Sequence, residues 1–164
     1  MIPAILKYKL GITVVLAMIV ILRFLYLWQP QRQVELHQRH FLMAAQDRQW
    51  GKFDSFFGDD FRTPAGQDRA WALQQSHEVL RQFIALEIRT SNPQSTITGD
   101  TAHVSNVLHI EGSGTQLAGM AKSAVNQSTA PFAFTWKRKS WKPWDWQLIS
   151  VDHPLLHITG DMME

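Results

Sequence analysis

The spacing of hydrophobic and polar positions changes character twice along the chain. From Leu10 to Leu22 the run LGITVVLAMIVIL carries no charge; Arg23 interrupts it, and Phe24–Trp28 (FLYLW) resumes it. Joined across Arg23, Leu10–Trp28 at about 1.5 Å per residue approaches the roughly 30 Å hydrocarbon thickness of a bilayer. Arg23 lies near the end of this span, where a guanidinium reaches the headgroups at modest cost. Tyr8 on one side, and Tyr26 with Trp28 on the other, match the aromatic belts of membrane helices. Bulky residues follow the apolar run where a signal peptidase site needs small ones. Residues 1–32 therefore read as an uncleaved transmembrane anchor with its flanks; a cleaved signal peptide and a buried or interfacial helix are the alternatives.

From Gln33 the period is helical. Gln33–Gln49 lacks Pro and Gly and repeats Val34, Phe41, Leu42 and Ala45 at helical spacing. Trp50–Phe61 predicts a second, aromatic helix through Trp50, Phe53, Phe56 and Phe57, ended by Gly58. Thr63-Pro64-Ala65-Gly66 is a loop. Asp68 is placed to cap a third helix, Arg69–Leu86, with the stripe Ala72, Val79, Leu80, Phe83 and Ile84. The period then becomes two. Leu86–Ser91 predicts a strand closed by an Asn92-Pro93 turn. Thr96–Thr98, a Gly99-Asp100 turn and Ala102–Glu111 predict a hairpin. Ala102, Val104, Asn106, Leu108 and Ile110 share one face of its long strand. Gly112–Ser128 is small and polar and reads as a loop. Ala130–Lys139 and Trp144–Asp152 predict the last two strands, joined by the turn Ser140–Pro143 and ended by His153-Pro154. The expected architecture is one α+β domain over residues 33–154, with three helices on a curved antiparallel sheet, and a tail over residues 155–164.

Composition sharpens this reading in two ways. No Cys is present, which removes disulfides, thiol catalysis and Cys-based zinc sites. The sequence pI of about 9.1 comes from the anchor region. Residues 1–32 hold Lys7, Lys9, Arg23 and Arg32 and no acid, whereas the other 12 basic and 14 acidic residues give the rest a formal charge of −2. A mildly acidic domain disfavours nucleic acid as a partner. The positive-inside rule, applied to Lys7 and Lys9 against Arg23 and Arg32, puts the amino terminus in the cytoplasm and the domain outside it.

The succession of a helix, a short aromatic helix ending in Gly58-Asp59-Asp60-Phe61, a third helix and then antiparallel strands resembles the nuclear transport factor 2-like superfamily. The ending APFAFTWKRKSWKPWDWQLISVDHP is similar to that family's last two strands, in which a basic, Trp-rich turn leads into a strand closed by Pro. The resemblance covers residues 33–154. It implies a cone-like, cystatin-like roll around an apolar pocket, often dimeric. It spans ketosteroid-isomerase-like and SnoaL-like enzymes, pocket binders and membrane-anchored assembly subunits, so fold decides little about activity.

Isomerases of this superfamily resemble one another in a Tyr and an acid forming an oxyanion hole, with a carboxylate base. The only tyrosines here, Tyr8 and Tyr26, lie in the anchor. His77, between Leu73, Leu80 and Ile84 on its helical stripe, is the candidate base if the chain is an enzyme; an Asp is the other option. His37 and His40 share a helical face and His103 and His109 a strand face, but neither pair has a metal-binding spacing, and no metal or cofactor is expected. Asn106 is the one polar residue on an otherwise apolar strand face, and a buried amide needs partners. With Phe53, Phe57, Phe83, Val104, Leu108, Phe132, Phe134 and Trp136 it forms the candidate ligand pocket. The expected partners are membrane lipid through the anchor, a small apolar ligand, and a second copy or another protein.

Overall fold

The computed structural model describes residues 13–23, 29–142 and 144–157. Residues 13–23 are helical and belong to the first helix, α1. The expected span Leu10–Trp28 lies partly outside the described residues, as do Leu10, Tyr8, Tyr26 and Trp28. Among the described residues no helix is long and apolar enough to cross a membrane. Leu22 and Arg23 lie on an exposed helical surface.

Helix α2 (Pro30–Gln46) starts where φ of proline is already helical and its missing N–H is not needed. It buries Val34, Gln38, Phe41, Leu42, Ala44 and Ala45 along one stripe. Helix α3 (Trp50–Ser55) is shorter than the aromatic spacing predicted. After it the chain leaves the helix to run beside the last strand: Gly58 N donates to Leu148 O, Leu148 N to Phe56 O, and Arg62 N to Ile149 O. The aromatic residues beyond Ser55 thus cover a sheet edge instead of extending a helix.

Helix α4 (Arg69–Arg81) is capped as expected, the Asp68 carboxylate accepting from Trp71 N. It ends five residues before Leu86. Strand β1 (Phe83–Thr98) takes over, with Phe83 buried and Ile84 80% exposed. Adjacent residues facing opposite ways are a strand's signature, and this overrides the helical stripe.

Strand β1 pairs with β2 (Thr101–Gly114) through the expected Gly99-Asp100 turn. Asn92-Pro93 does not separate two strands. It forms a bulge inside β1, where the register jumps from Ser91↔Val107 to Gln94↔Ser105. Proline has no N–H to give the ladder and Asn92 has φ 52°, so the pair breaks pairing without ending the strand.

The expected Gly112–Ser128 loop is the end of β2 followed by helix α5 (Gln116–Gln127), so a fourth helix of the domain lies among the strands. Thr115 caps α5 by accepting from Ala118 N, and Asn126 brackets Ile110, accepting from its N–H and donating to its carbonyl at 2.8 Å each. Strands β3 (Phe132–Arg138) and β4 (Trp146–Asp152) complete an antiparallel sheet in the order β1-β2-β3-β4. A single turn, α6 (Pro154–His157), follows.

The core lies between α2, α3 and the face of β2–β4. Phe41 stacks on Phe53 (5.1 Å) and meets Phe56, Phe57, Phe134 and Trp136 edge-on. Edge-to-face pairs at such centroid distances add to the burial of apolar area.

Candidate functional site

A cleft of about 630 Å³ opens between α2 and the β1–β2 pair. Glu35, Gln38, Arg39, Leu42, Met43 and Gln46 form the helical wall. Ile88, Thr90, Pro93, Val104 and Asn106 form the sheet wall. The spacing of the helical residues follows from the 3.6-residue period, which sets them on the flank of α2 next to its core stripe. The Asn92-Pro93 bulge borders the sheet wall, to which it contributes Pro93. Asn106 lies in the register gap left between Val107 and Ser105, across from the bulged residues.

Two polar atoms in this cleft lack partners. Asn106 is 2% exposed and Gln38 4% exposed, yet Asn106 Oδ1 and Gln38 Nε2 have no hydrogen bond. The orientation of Gln38 is set by Trp136, whose indole Nε1 donates to Gln38 Oε1 at 2.8 Å. An indole N–H can only donate, so the amide oxygen must face it and the amide NH₂ is left over. Two lining residues of the cleft therefore carry one buried donor and one buried acceptor without partners.

Of the nine expected pocket residues, Val104 and Asn106 line this cleft. Phe53, Phe57, Phe134 and Trp136 are packed into the aromatic core. Leu108 and Phe132 pack against that core from partly buried positions, and Phe83 is buried at the start of β1. Gln38 was not anticipated. Its signal was available in the sequence: it is a polar residue between Val34, Phe41 and Leu42 on the buried stripe of a helix.

His77 sits elsewhere. Its Nε2 lies 2.7 Å from Asp54 Oδ1, with the Trp50 ring 4.3 Å away. It opens on a second cleft of about 410 Å³, lined also by Gln74, Glu78, Arg81 and Gln82. The two clefts share no lining residue. Among the described residues no group of three or more His, Asp or Glu could hold a metal ion. His37 packs edge-on against Phe56 and Trp136. Burial, with His40 nearby, pushes its pKa below the ordinary value.

No family model matches the sequence, and no curated protein matches it. Solved structures do. An NTF2-like protein from Pseudomonas putida KT2440 aligns with TM-score 0.55 and 11% identity over 74% of this chain and 82% of that one. Hexachlorocyclohexane dehydrochlorinase LinA-type3 from Novosphingobium barchaimii LL02 aligns with TM-score 0.54 and 14% identity, covering 74% and 82%. Bdellovibrio bacteriovorus Bd1075 aligns with TM-score 0.56 and 9% identity over 74% of this chain but 40% of its own length, so this chain spans less than half of that protein. At such identities the likeness is one of fold. The chain has the α+β fold of the nuclear transport factor 2-like proteins.

Proposed function

We propose that this protein is a membrane-tethered, non-enzymatic domain whose α2–sheet cleft binds a small, mainly apolar ligand. The observation that carries this reading is the pair of buried, unpartnered amide atoms, Gln38 Nε2 and Asn106 Oδ1, in one cleft. Leaving a buried polar group unsatisfied costs about 1–3 kcal/mol. A ligand that gives an acceptor to Gln38 and a donor to Asn106, and lays its apolar body on Leu42, Met43, Ile88 and Val104, removes both penalties on binding. The tether is Leu10–Trp28, with the domain outside the cytoplasm. In support, Val14, Val15, Leu16, Met18, Ile19, Val20, Ile21 and Leu22 are all more than half exposed among the described residues.

A native mass spectrum of the whole protein, released gently from its own membrane, tests the reading. A retained small molecule is the expected result. A bare mass at twice the monomer, or with a second protein attached, would instead make the chain an assembly subunit of a membrane complex.

The second reading is a SnoaL-like isomerase or hydrolase. It is favoured by the His77–Asp54 contact: with Nε2–H donated to the carboxylate, Nδ1 is left to act as base, with Asp54 orienting the ring. Against it, the domain has no Tyr donor, and the pair lies away from the α2–sheet cleft. Turnover lost in both His77→Gln and Asp54→Asn, with ligand retention in the other cleft unchanged, would establish it.

A further inference from the structure

The β3–β4 connection is tied to itself and exposes Lys139, Trp141, Lys142 and Trp144. Lys139 N donates to Asp145 O (2.8 Å), Asp145 N to Lys142 O (3.2 Å), and Lys142 N to Ser140 Oγ (3.3 Å). Trp141 is 78% exposed and Trp144 about half exposed. Lys139 and Lys142 are exposed too, and neither forms an ion pair among the described residues. The neighbouring strand residues are used by the fold. Trp136 and Trp146 are fully buried, Arg138 lies over the Trp146 ring at 5.7 Å, and Lys137 faces Asp60 at 3.4 Å. The tip also carries two carboxylates: Asp100, whose Oδ1 accepts from Thr101 Oγ1 at 3.2 Å, and Asp145; it is their backbone carbonyls that hold the turns, Asp100 O accepting from Arg138 N at 2.7 Å.

That last bond also locates the tip, because it joins the β3–β4 turn to the Gly99-Asp100 turn. The first turn of α2 is at the same end, with Gln31 Nε2 donating to Ser95 Oγ at 3.1 Å, close to the end of β1 at Thr98. The chain therefore enters the domain from α1 at the end that carries Trp141, Lys139 and Lys142. Helix α5 lies at the opposite end. Its Asn126 is bonded at Ile110, about 30 Å along β2 from Thr101 at strand rise.

Exposed indoles between lysines suit a headgroup layer. The ring takes the apolar–polar boundary, the lysine stems lie along it, and the ammonium groups meet anionic lipid. We infer that the Trp141–Lys139–Lys142 tip is a second membrane contact, which seats the domain on anionic lipid headgroups beside the point where the tether enters it. The inference rests on the tether reading. A tether alone does not fix which way the domain faces; a second contact does.

The chain has no Cys, so Ser140→Cys supplies a unique thiol for an environment-sensitive fluorophore, and Ser123→Cys on α5 is its control. The full chain is reconstituted into phosphatidylcholine vesicles with and without phosphatidylglycerol. The expected result is co-flotation with both, and a blue shift at position 140 only when phosphatidylglycerol is present. The shift should be lost on adding Lys139→Glu with Lys142→Glu, and position 123 should not respond. Co-flotation with an unshifted label at position 140 overturns the tip contact and leaves the tether intact. Failure to float with either vesicle overturns both. A blue shift produced by a single-stranded oligonucleotide without vesicles would assign the tip to nucleic acid and overturn the proposal.

Discussion

The two flanks of α2 face different neighbourhoods. On one, Phe41 and His37 enter an aromatic cluster with Phe53, Phe56, Phe57, Phe134 and Trp136, whose ring pairs lie at centroid distances of 5.1–6.2 Å. On the other, Gln38, Leu42 and Gln46 line a cleft bordered by a strand bulge. The first region is complete: its one indole N–H near α2 has a partner in Gln38. The second is unfinished, with a donor and an acceptor left over. Gln38 belongs to both: its amide oxygen accepts from Trp136 in the core, and it lines the cleft with its amide nitrogen buried and unpartnered. A region packed to completion holds the fold; one that keeps unsatisfied polar atoms at a cost in stability is where a ligand is expected.

Substitutions can break this comparison. Trp136→Ala removes one of two fully buried indoles among the described residues and should cost about 3–5 kcal/mol by urea unfolding followed by circular dichroism. Gln38→Leu leaves the Trp136 N–H buried without its acceptor and should cost about 1–3 kcal/mol. Asn106→Leu should have the opposite sign. It replaces an orphaned acceptor with an apolar group of similar size and should stabilise the empty domain by about 1 kcal/mol, while ligand retention in the native spectrum is lost. If Asn106→Leu destabilised the domain as Gln38→Leu does, both amides would be ordinary core groups and the contrast would fail. Thr115→Ala removes the cap of α5 and should cost about 1 kcal/mol. A null effect there would mean that α5 adds little to the domain.

The smallest effect is the pH dependence of His37. Because its folded pKa is depressed, the unfolded chain binds the proton more readily, and stability falls as pH drops below the ordinary value of 6.5 toward the lowered one. Above 6.5 the term vanishes. Denaturation midpoints for the wild type and His37→Gln should therefore diverge in slope below that pH and run parallel above it.

Much of the fold was legible because its elements have strong periods. The buried stripe of α2, the cap at Asp68 and the alternation Ala102, Val104, Asn106 appear where residue spacing places them. What was not legible depended on tertiary context. Helix α5 buries only Ala118 and meets β2 through Asn126 on Ile110 and Lys122 on Gly112 O, a face too small and too polar to stand out as a core stripe. Gly112 reads as a loop residue, but its lack of a side chain is what lets β2 pass β1. A Cβ there would meet Ala85 O at 2.1 Å, and its φ is 143°. Asn92-Pro93 carries a turn's composition, and only the continuing partner strand turns it into a bulge. Asn106 stood out from sequence as a polar residue on an apolar face. Gln38, its counterpart, sits on the buried stripe of α2, and the Trp136 N–H that orients it comes from 98 residues away.

The most direct measurement is side-chain amide NMR of the full-length protein in lipid nanodiscs, with asparagine and glutamine selectively labelled and Gln38 and Asn106 assigned by substitution. On addition of a lipid extract from its own membrane, the amide resonances of Gln38 and Asn106 are expected to shift together, while Gln74 beside His77 stays in place. Movement at Gln74 with Gln38 and Asn106 unchanged would contradict the binding cleft and transfer function to the His77–Asp54 pair.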